Sequence, residues 1–278
     1  MKKATLYFLS FIAVQVLAGA VASLVGKLWL KQVNMASASS LVVITGVAAL
    51  VTLALFLGLR WYRPGRSYVR SHPWVFLAWT ALLAIGILIP LTWIEEQLPA
   101  AMRENLMAEE MRGMLSTPSG YFVVCMLAPL MEEVVFRGAM ISALTGWFKK
   151  RISSTKLHFN CTCAEWAAIA VSAIIFGVAH FNPAQIPHAL LVGILLGWLY
   201  VKTGSIVPCF LLHWINNSAS YVLASMFPTL PLDAPLADYV GGSQMAVVRA
   251  VACSLLIALP SLWQLSRIKR TNIETASN

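Results

Sequence analysis

The stretch that decides how this chain folds places two adjacent glutamates and an arginine inside an apolar run. It reads Leu130-Met131-Glu132-Glu133-Val134-Val135-Phe136-Arg137-Gly138. An ionised side chain at the centre of a membrane helix opposes insertion by roughly 2.5–3.5 kcal/mol, so the three charges together cost about 8–10 kcal/mol unless they pair or become neutral. We therefore expect polar groups elsewhere in the chain to meet Glu132, Glu133 and Arg137.

The composition of the whole chain is that of a membrane protein. Of the 278 residues, 59% are hydrophobic and 11% are charged, whereas charged residues make up about a quarter of an ordinary soluble domain. This predicts an all-α polytopic membrane protein with about eight transmembrane helices. The expected spans are approximately 1–28, 40–59, 73–94, 119–147, 164–181, 185–201, 205–226 and 245–264.

The basic residues serve as a topology signal, because Lys and Arg concentrate in cytoplasmic loops. Most basic residues fall in linkers on one side of the membrane. Linker 95–118, on the opposite side, holds five acidic residues and only two arginines. We therefore expect an integral membrane protein of the bacterial cytoplasmic (inner) membrane with both termini in the cytoplasm, and the net charge of +9 does not call for a nucleic-acid partner. Lys27 and Lys31 are exceptions to the pattern. The basic residues of the cytoplasmic side are Lys2, Lys3, Arg60, Arg63, Arg66, Arg70, Lys149, Lys150, Arg151, Lys156, Lys202, Arg267, Lys269 and Arg270.

Three regions are expected along the chain. Residues 1–118 hold N-terminal transmembrane helices and an amphipathic segment, 119–226 form a helical core of spans four to seven, and 227–278 contain an outer loop, the last transmembrane helix and a basic tail. Within the first region, Leu and Met recur at about helical spacing over 96–116. This pattern favours a helix on the membrane surface. A lid over a site is the alternative.

Helical phase separates the two glutamates. On an α-helix each residue advances by about 100°, so Glu133 and Arg137 lie on nearly the same face and can form an ion pair. Glu132 lies about 140° around the helix from Arg137. We therefore expect one carboxylate to be held within its own helix while the other faces a neighbouring span. A buried charge cluster that only locks helices together is the alternative.

Two downstream spans carry histidines in matching four-residue spacings. Phe176 and His180 share a face of span five, and His213 and Asn217 share a face of span seven. A single histidine would more often be a satisfied core residue than a catalyst. Because lipid offers polar groups no partner, however, this set must meet one another, the glutamates or a water-filled cavity. Asn182 and His188, just after span five, are two further candidates to line such a cavity.

These residue types suit hydrolysis of an amide. Glu132, held out of water, could take a proton from a water molecule, and His180 could orient that water or protonate the leaving nitrogen. His213 and Asn217 could donate hydrogen bonds to the oxyanion. The set Glu132, His180 and His213 could instead hold a zinc ion with an open position. The helical zinc signature HExxH is absent from the sequence.

Three motifs, taken in order on successive hydrophobic segments, resemble those of the CPBP family of CAAX proteases and bacteriocin-processing enzymes, also called the Abi family. All three are present without substitution, and they cover about 132–217. No further match is visible in 1–118 or 227–278. The motifs are Glu132-Glu133-x-x-x-Arg137, Phe176-x-x-x-His180 and His213-x-x-x-Asn217.

The resemblance implies an intramembrane endopeptidase whose catalytic core is spans four to seven, with a conical cavity that opens toward the cytoplasm. It assigns water activation to Glu132 and His180, and the oxyanion site to His213 and Asn217. Glu133, Arg137 and Phe176 would support these four. A metal-free mechanism with no cofactor is favoured, because the family's prenyl endopeptidase is a glutamate-dependent hydrolase, and zinc is the open alternative. The implied partners are the lipid bilayer and a peptide or protein substrate, including lipid-modified or membrane-embedded ones.

Two questions stay open at this point. A transporter that uses the Glu/His groups as a proton relay, or a non-hydrolytic binding scaffold, is the alternative from another class, although repeated halves typical of transporters are not visible. Counting 1.5 Å per residue from the basic side places His180 about 22 Å along its helix and His213 about 12 Å along its own. Tilt, a recessed start to span five or a re-entrant turn would be needed to bring them level.

Overall fold

The computed structural model describes residues 1–29, 37–63, 73–152 and 162–268, and in these ranges the chain forms helices and no β-strands. This confirms the predicted all-α membrane fold. Six basic residues used for orientation, namely Lys31, Arg66, Arg70, Lys156, Lys269 and Arg270, lie outside the described ranges. The helices are α1 (Lys2–Trp29), α2 (Ala38–Gly58), α3 (Trp74–Glu96), α4 (Ala108–Leu115), α5 (Pro118–Phe148), α6 (Cys163–Val178), α7 (Gln185–Thr203), α8 (Val207–Met226), α9 (Leu236–Val240) and α10 (Gln244–Arg267).

Six of the helices in the described ranges, α1, α2, α3, α5, α7 and α10, are long and apolar enough to cross a membrane. A helix overlaps each of the eight expected spans, but two fall short of these criteria. Helix α6 is apolar and has only 16 residues. Helix α8 has 20 residues, and its apolar run is interrupted by His213, Asn216 and Asn217. Helix α8, which carries these polar residues, is therefore one of the two helices least suited to contact lipid.

Helix α5 is not a regular α-helix. Two π-helical segments, Phe122–Leu127 and Glu133–Ile141, flank the α-helical turn Ala128–Glu132. Short π segments widen the backbone spacing to i→i+5 and are frequent at functional sites. The phase of 100° per residue, assumed from the sequence, therefore does not hold beyond Glu132. Everything from Glu133 to Ile141 is nevertheless buried.

Small residues bring the central helices close together. A Cβ atom added at Gly193 of α7 would lie 3.2 Å from Ala173 Cα of α6, and one at Gly86 of α3 would lie 2.6 Å from the backbone nitrogen of Ala258 in α10. Both contacts require the absence of a side chain. The α6–α7 and α3–α10 pairs consequently pack backbone against backbone, which fixes the ends of α3, α6 and α7 around the polar core.

The segment before α5 differs from the single surface helix expected over 96–116. A 3₁₀ turn at Ala100–Met102 and a non-helical stretch precede α4, which begins only at Ala108. The non-helical stretch is tied to the turn after α6, since the buried Asn182 side chain accepts from Leu106 N (3.2 Å) and donates to Asn105 Oδ1 (2.8 Å). These bonds hold the segment against the core between α3 and α5.

Candidate active site

The expected ion pair within α5 is present and buried. Arg137 Nη1 donates to Glu133 Oε1 over 3.0 Å, with the two side chains 1% and 0% exposed. The same oxygen lies 2.7 Å from His213 Nδ1 on α8. Because a carboxylate oxygen accepts, Nδ1 of His213 carries the proton of this bond. Glu133 therefore pairs with an arginine of its own helix and also fixes the histidine of a neighbouring one, which the sequence had not indicated.

Glu132, the other carboxylate, faces α8 as the helical phase predicted. Its Oε2 lies 3.6 Å from His213 Nε2, and its side chain is 19% exposed, whereas the Glu133 side chain is fully buried. His213 thus stands between the two glutamates, with Nδ1 toward Glu133 and Nε2 toward Glu132. Of the two carboxylates, Glu132 is therefore the one that is partly exposed.

Phe176 of α6 is the centre around which the motif residues meet. The Arg137 guanidinium lies over its ring at 4.2 Å from the centroid, which is cation–π geometry. The imidazoles of His180 and His213 pack against the same ring edge to face, with centroid distances of 4.9 and 5.8 Å. One buried phenyl ring therefore brings all three motifs into one site.

His180 lies two residues beyond the end of α6, and its tautomer follows from its contact. Nδ1 is 2.8 Å from the Phe176 carbonyl oxygen. A carbonyl can only accept, so Nδ1 carries a hydrogen, and the neutral ring has its lone pair on Nε2. His180 is thereby prepared to accept a hydrogen bond or a proton through Nε2. The tautomer is set by the backbone of its own helix.

The turn between α7 and α8 is buried, with Thr203, Ser205 and Ile206 all less than 10% exposed. Seven residues beyond Ile206, His213 packs against the Phe176 ring, as does His180 from beyond the end of α6. The two histidines therefore meet at one ring although they lie at different distances along their helices.

Asn217 projects from α8 toward the first π segment of α5. Its Nδ2 donates to the Val124 carbonyl over 3.1 Å. The carboxamide has a second N–H on the same nitrogen, which could serve a substrate oxygen. The Asn217 backbone carbonyl accepts from the Cys125 thiol at 3.5 Å. Two contacts with Phe122–Leu127 therefore position this part of α8.

A second polar cluster, which the sequence did not predict, adjoins Asn217. His188 Nδ1 lies 2.6 Å from Glu95 Oε1 at the end of α3, and Asn216 Nδ2 lies 3.0 Å from His188 Nε2. Asn216 Nδ2 also reaches Asn217 Oδ1 at 3.4 Å. From the sequence, Glu95 counted as an acidic linker residue and His188 as a cavity candidate. The signal available was a carboxylate at the end of an apolar span, which needs a partner for the same reason as Glu132.

The proposed zinc ligands do not fit a zinc site as they are placed. Among the residues that the structure describes, no group of three His, Cys, Asp or Glu side chains converges to hold a metal ion. The hydrolysis proposed for this site therefore uses the protein's side chains and water alone.

Comparison with known proteins gives one finding. Residues 115–219 match the family described as type II CAAX prenyl endopeptidase Rce1-like. No curated protein and no solved structure matches the chain significantly. The matched segment runs from the end of α4 to the middle of α8 and contains all three motifs. The family resemblance indicated by those motifs is thereby confirmed over residues 115–219, where the chain is similar to the Rce1-like type II CAAX prenyl endopeptidase family.

Proposed function

We propose that this protein is an intramembrane endopeptidase in which Glu132 and His180 activate water and His213 and Asn217 stabilise the oxyanion. One observation carries the proposal: Phe176 gathers both histidines and Arg137 around its ring, while Glu132 Oε2 lies 3.6 Å from His213 Nε2. The family match supports a membrane protease acting on a peptide or protein substrate. The catalytic core would be 119–226, with 1–118 and 227–278 as its flanking regions.

The reaction begins when a water molecule, held between the Glu132 carboxylate and His180 Nε2, attacks the carbonyl carbon of the scissile peptide. Its proton passes to Glu132, the C=O electron pair moves to the oxygen, and a tetrahedral oxyanion forms. Collapse of this intermediate breaks the C–N bond, and the proton returns from Glu132 to the leaving nitrogen. The products are a carboxyl terminus and an amine, so atoms and charge balance without any other reactant.

The oxyanion site places a requirement on His213. Since Nδ1–H already donates to Glu133, donation to the substrate needs a hydrogen on Nε2 as well. Hydrogen bonds to a developing oxyanion are strongest where water is excluded, and His213 is 5% exposed.

The substrate that we propose enters from the membrane, either as a lipid-modified carboxyl terminus or as a membrane-embedded segment. Glu132 lies on α5, one of the helices long and apolar enough to cross a membrane, and its side chain is 19% exposed. The site would open toward the cytoplasm of a bacterial inner membrane, with both chain termini on that side.

The test is cleavage by the purified protein in lipid nanodiscs. Two internally quenched peptides serve as probes, one with a farnesylated CAAX terminus and one with an unmodified transmembrane segment. We expect the wild type to cleave at least one of them, and Glu132→Gln to be slower by about 10²–10⁴-fold, because a positioned acid–base group contributes that much. Glu109→Gln, on the exposed face of α4, is the matched control and should cleave at the wild-type rate.

Two results would overturn the proposal. If Glu132→Gln cleaves as fast as the wild type, Glu132 is not the catalytic base. Absence of cleavage of both probes, together with proton-coupled uptake in the same protein reconstituted into vesicles, would favour the transporter alternative.

A further inference from the structure

Outside the three motifs, a chain of hydrogen bonds runs from the end of α3 to the proposed oxyanion donor. Glu95 on α3, His188 on α7 and Asn216 on α8 are joined by contacts of 2.6 and 3.0 Å, and Asn216 reaches Asn217 at 3.4 Å. Glu95 and His188 are 22% and 28% exposed, and Asn216 is buried. Three helices thus contribute one side chain each to a cluster that ends on a motif residue.

The orientation of the Asn217 carboxamide is fixed by its two partners. The Val124 carbonyl can only accept, so the atom of Asn217 that faces it is Nδ2, and Asn217 Oδ1 must then point toward Asn216. An acceptor at that place requires Nδ2 of Asn216. His188 Nε2 lies 3.0 Å from Asn216 Nδ2 and 3.2 Å from Asn216 Oδ1, so it contacts the same carboxamide whether Nε2 accepts or donates. The Glu95 carboxylate accepts from Nδ1 of His188 and thereby orients the ring.

We propose that Glu95, His188 and Asn216 are positioning residues that hold the Asn217 carboxamide in the orientation needed to donate to the oxyanion. This inference rests on the proposed function, which makes Asn217 a donor. With Oδ1 held by Asn216 and one N–H held by Val124, the plane of the carboxamide is fixed and the second N–H has one direction. Donors that are oriented before the reaction need no reorganisation as charge develops. The chain acts on catalysis through Asn217 alone.

The test is a double-mutant cycle between positions 188 and 217, measured on whichever probe peptide the wild type cleaves faster. We expect His188→Ala to lower kcat by about 10–100-fold, as is typical for partners of a catalytic group, with KM changed by less than about twofold. In the Asn217→Ala background, His188→Ala should have no further effect, since the residue through which it acts has gone. Gln97→Ala, at the exposed end of α3 beside Glu95, is the matched control and should leave kcat unchanged.

A second variant keeps the test independent of packing. Asn216→Asp has nearly the same size, but it presents an oxygen to Asn217 Oδ1 where the wild type presents an N–H. We expect a loss of kcat similar to that of His188→Ala, with the melting temperature retained. If Asn216→Asp retains the wild-type kcat, the proposal is wrong.

The outcomes separate the two proposals. If Glu132→Gln and Asn217→Ala both retain wild-type cleavage, the proposed function fails, and the positioning role fails with it. If those two variants lose activity while His188→Ala does not, only the positioning role is overturned. Effects of His188→Ala and Asn217→Ala that multiply, or a change in KM at constant kcat, would also contradict it, because each would show that His188 acts by another route.

Discussion

In the part of the chain that the structure describes, a carboxylate and a histidine lie within 3 Å of each other in two pairs, and the pairs differ in what surrounds them. Glu133 and His213 are joined over 2.7 Å and are almost fully buried, with Arg137 on the same carboxylate oxygen. Glu95 and His188 are joined over 2.6 Å, but both are more than one-fifth exposed. Contact distance therefore does not distinguish the pairs, whereas burial and charge balance do. We call Glu133–His213 the inner pair and Glu95–His188 the outer pair. The charge of the inner pair is compensated by Arg137, whereas the outer pair is accessible to solvent.

The difference has a consequence for function. Only the inner histidine stands against a second carboxylate, with Nε2 3.6 Å from Glu132. The outer histidine instead contacts a neutral carboxamide through Nε2. We infer that the inner pair takes part in the chemistry while the outer pair orients a donor. Substitutions of Arg137 and of the two histidines test this division.

The largest effect is expected from removing the charge that balances the inner pair. Arg137→Ala leaves Glu133 buried with a single partner and removes the cation–π contact with Phe176. Breaking a buried ion pair typically costs 3–5 kcal/mol, so the free energy of unfolding should fall by about that amount in an SDS titration in mixed micelles. Glu95→Ala in the outer pair is the comparison and should cost less than about 1 kcal/mol, since exposed pairs contribute little. If Arg137→Ala and Glu95→Ala lower the free energy of unfolding equally, burial does not determine how much each pair contributes to stability.

A smaller effect, on rate rather than stability, is expected from the histidines themselves. His213→Ala removes an oxyanion donor but leaves Glu133 paired with Arg137, so the protein should remain folded. We expect kcat for the cleaved probe peptide to fall by about 10²–10³-fold, the usual result of losing such a donor. The loss for His188→Ala should be smaller, about 10–100-fold. A larger loss at His188 than at His213 would reverse the roles assigned to the two pairs.

Much of this site could be predicted from residue spacing. The Glu133–Arg137 pair and the convergence of both histidines on one site follow from polar groups in apolar helices that must find partners. The separation of Glu132 from Glu133 was predicted with α-helical phase, yet the backbone changes to a π-helix at Glu133. Both carboxylates reach His213, Glu133 over 2.7 Å and Glu132 over 3.6 Å, and Glu132 is partly exposed rather than held out of water.

The features that sequence reasoning missed depend on how helices sit relative to one another. Nothing in the residues around Thr203 and Ser205 shows that their turn, which precedes α8, is buried. The partnership of Glu95 with His188 likewise joins helix ends that are 93 residues apart. Spacing rules describe one helix at a time, so contacts among three helices require the packed structure.

The central claim is that Glu132 makes this protein a peptidase, and comparison of protein termini in cells tests it most directly because no substrate need be assumed. Membranes are compared from cells that lack the chromosomal gene and carry either the wild type or Glu132→Gln, at equal expression. If Glu132 is the catalytic base, a defined set of new termini, in membrane or lipid-modified proteins, occurs only with the wild type. Identical sets of termini from the two strains would contradict it.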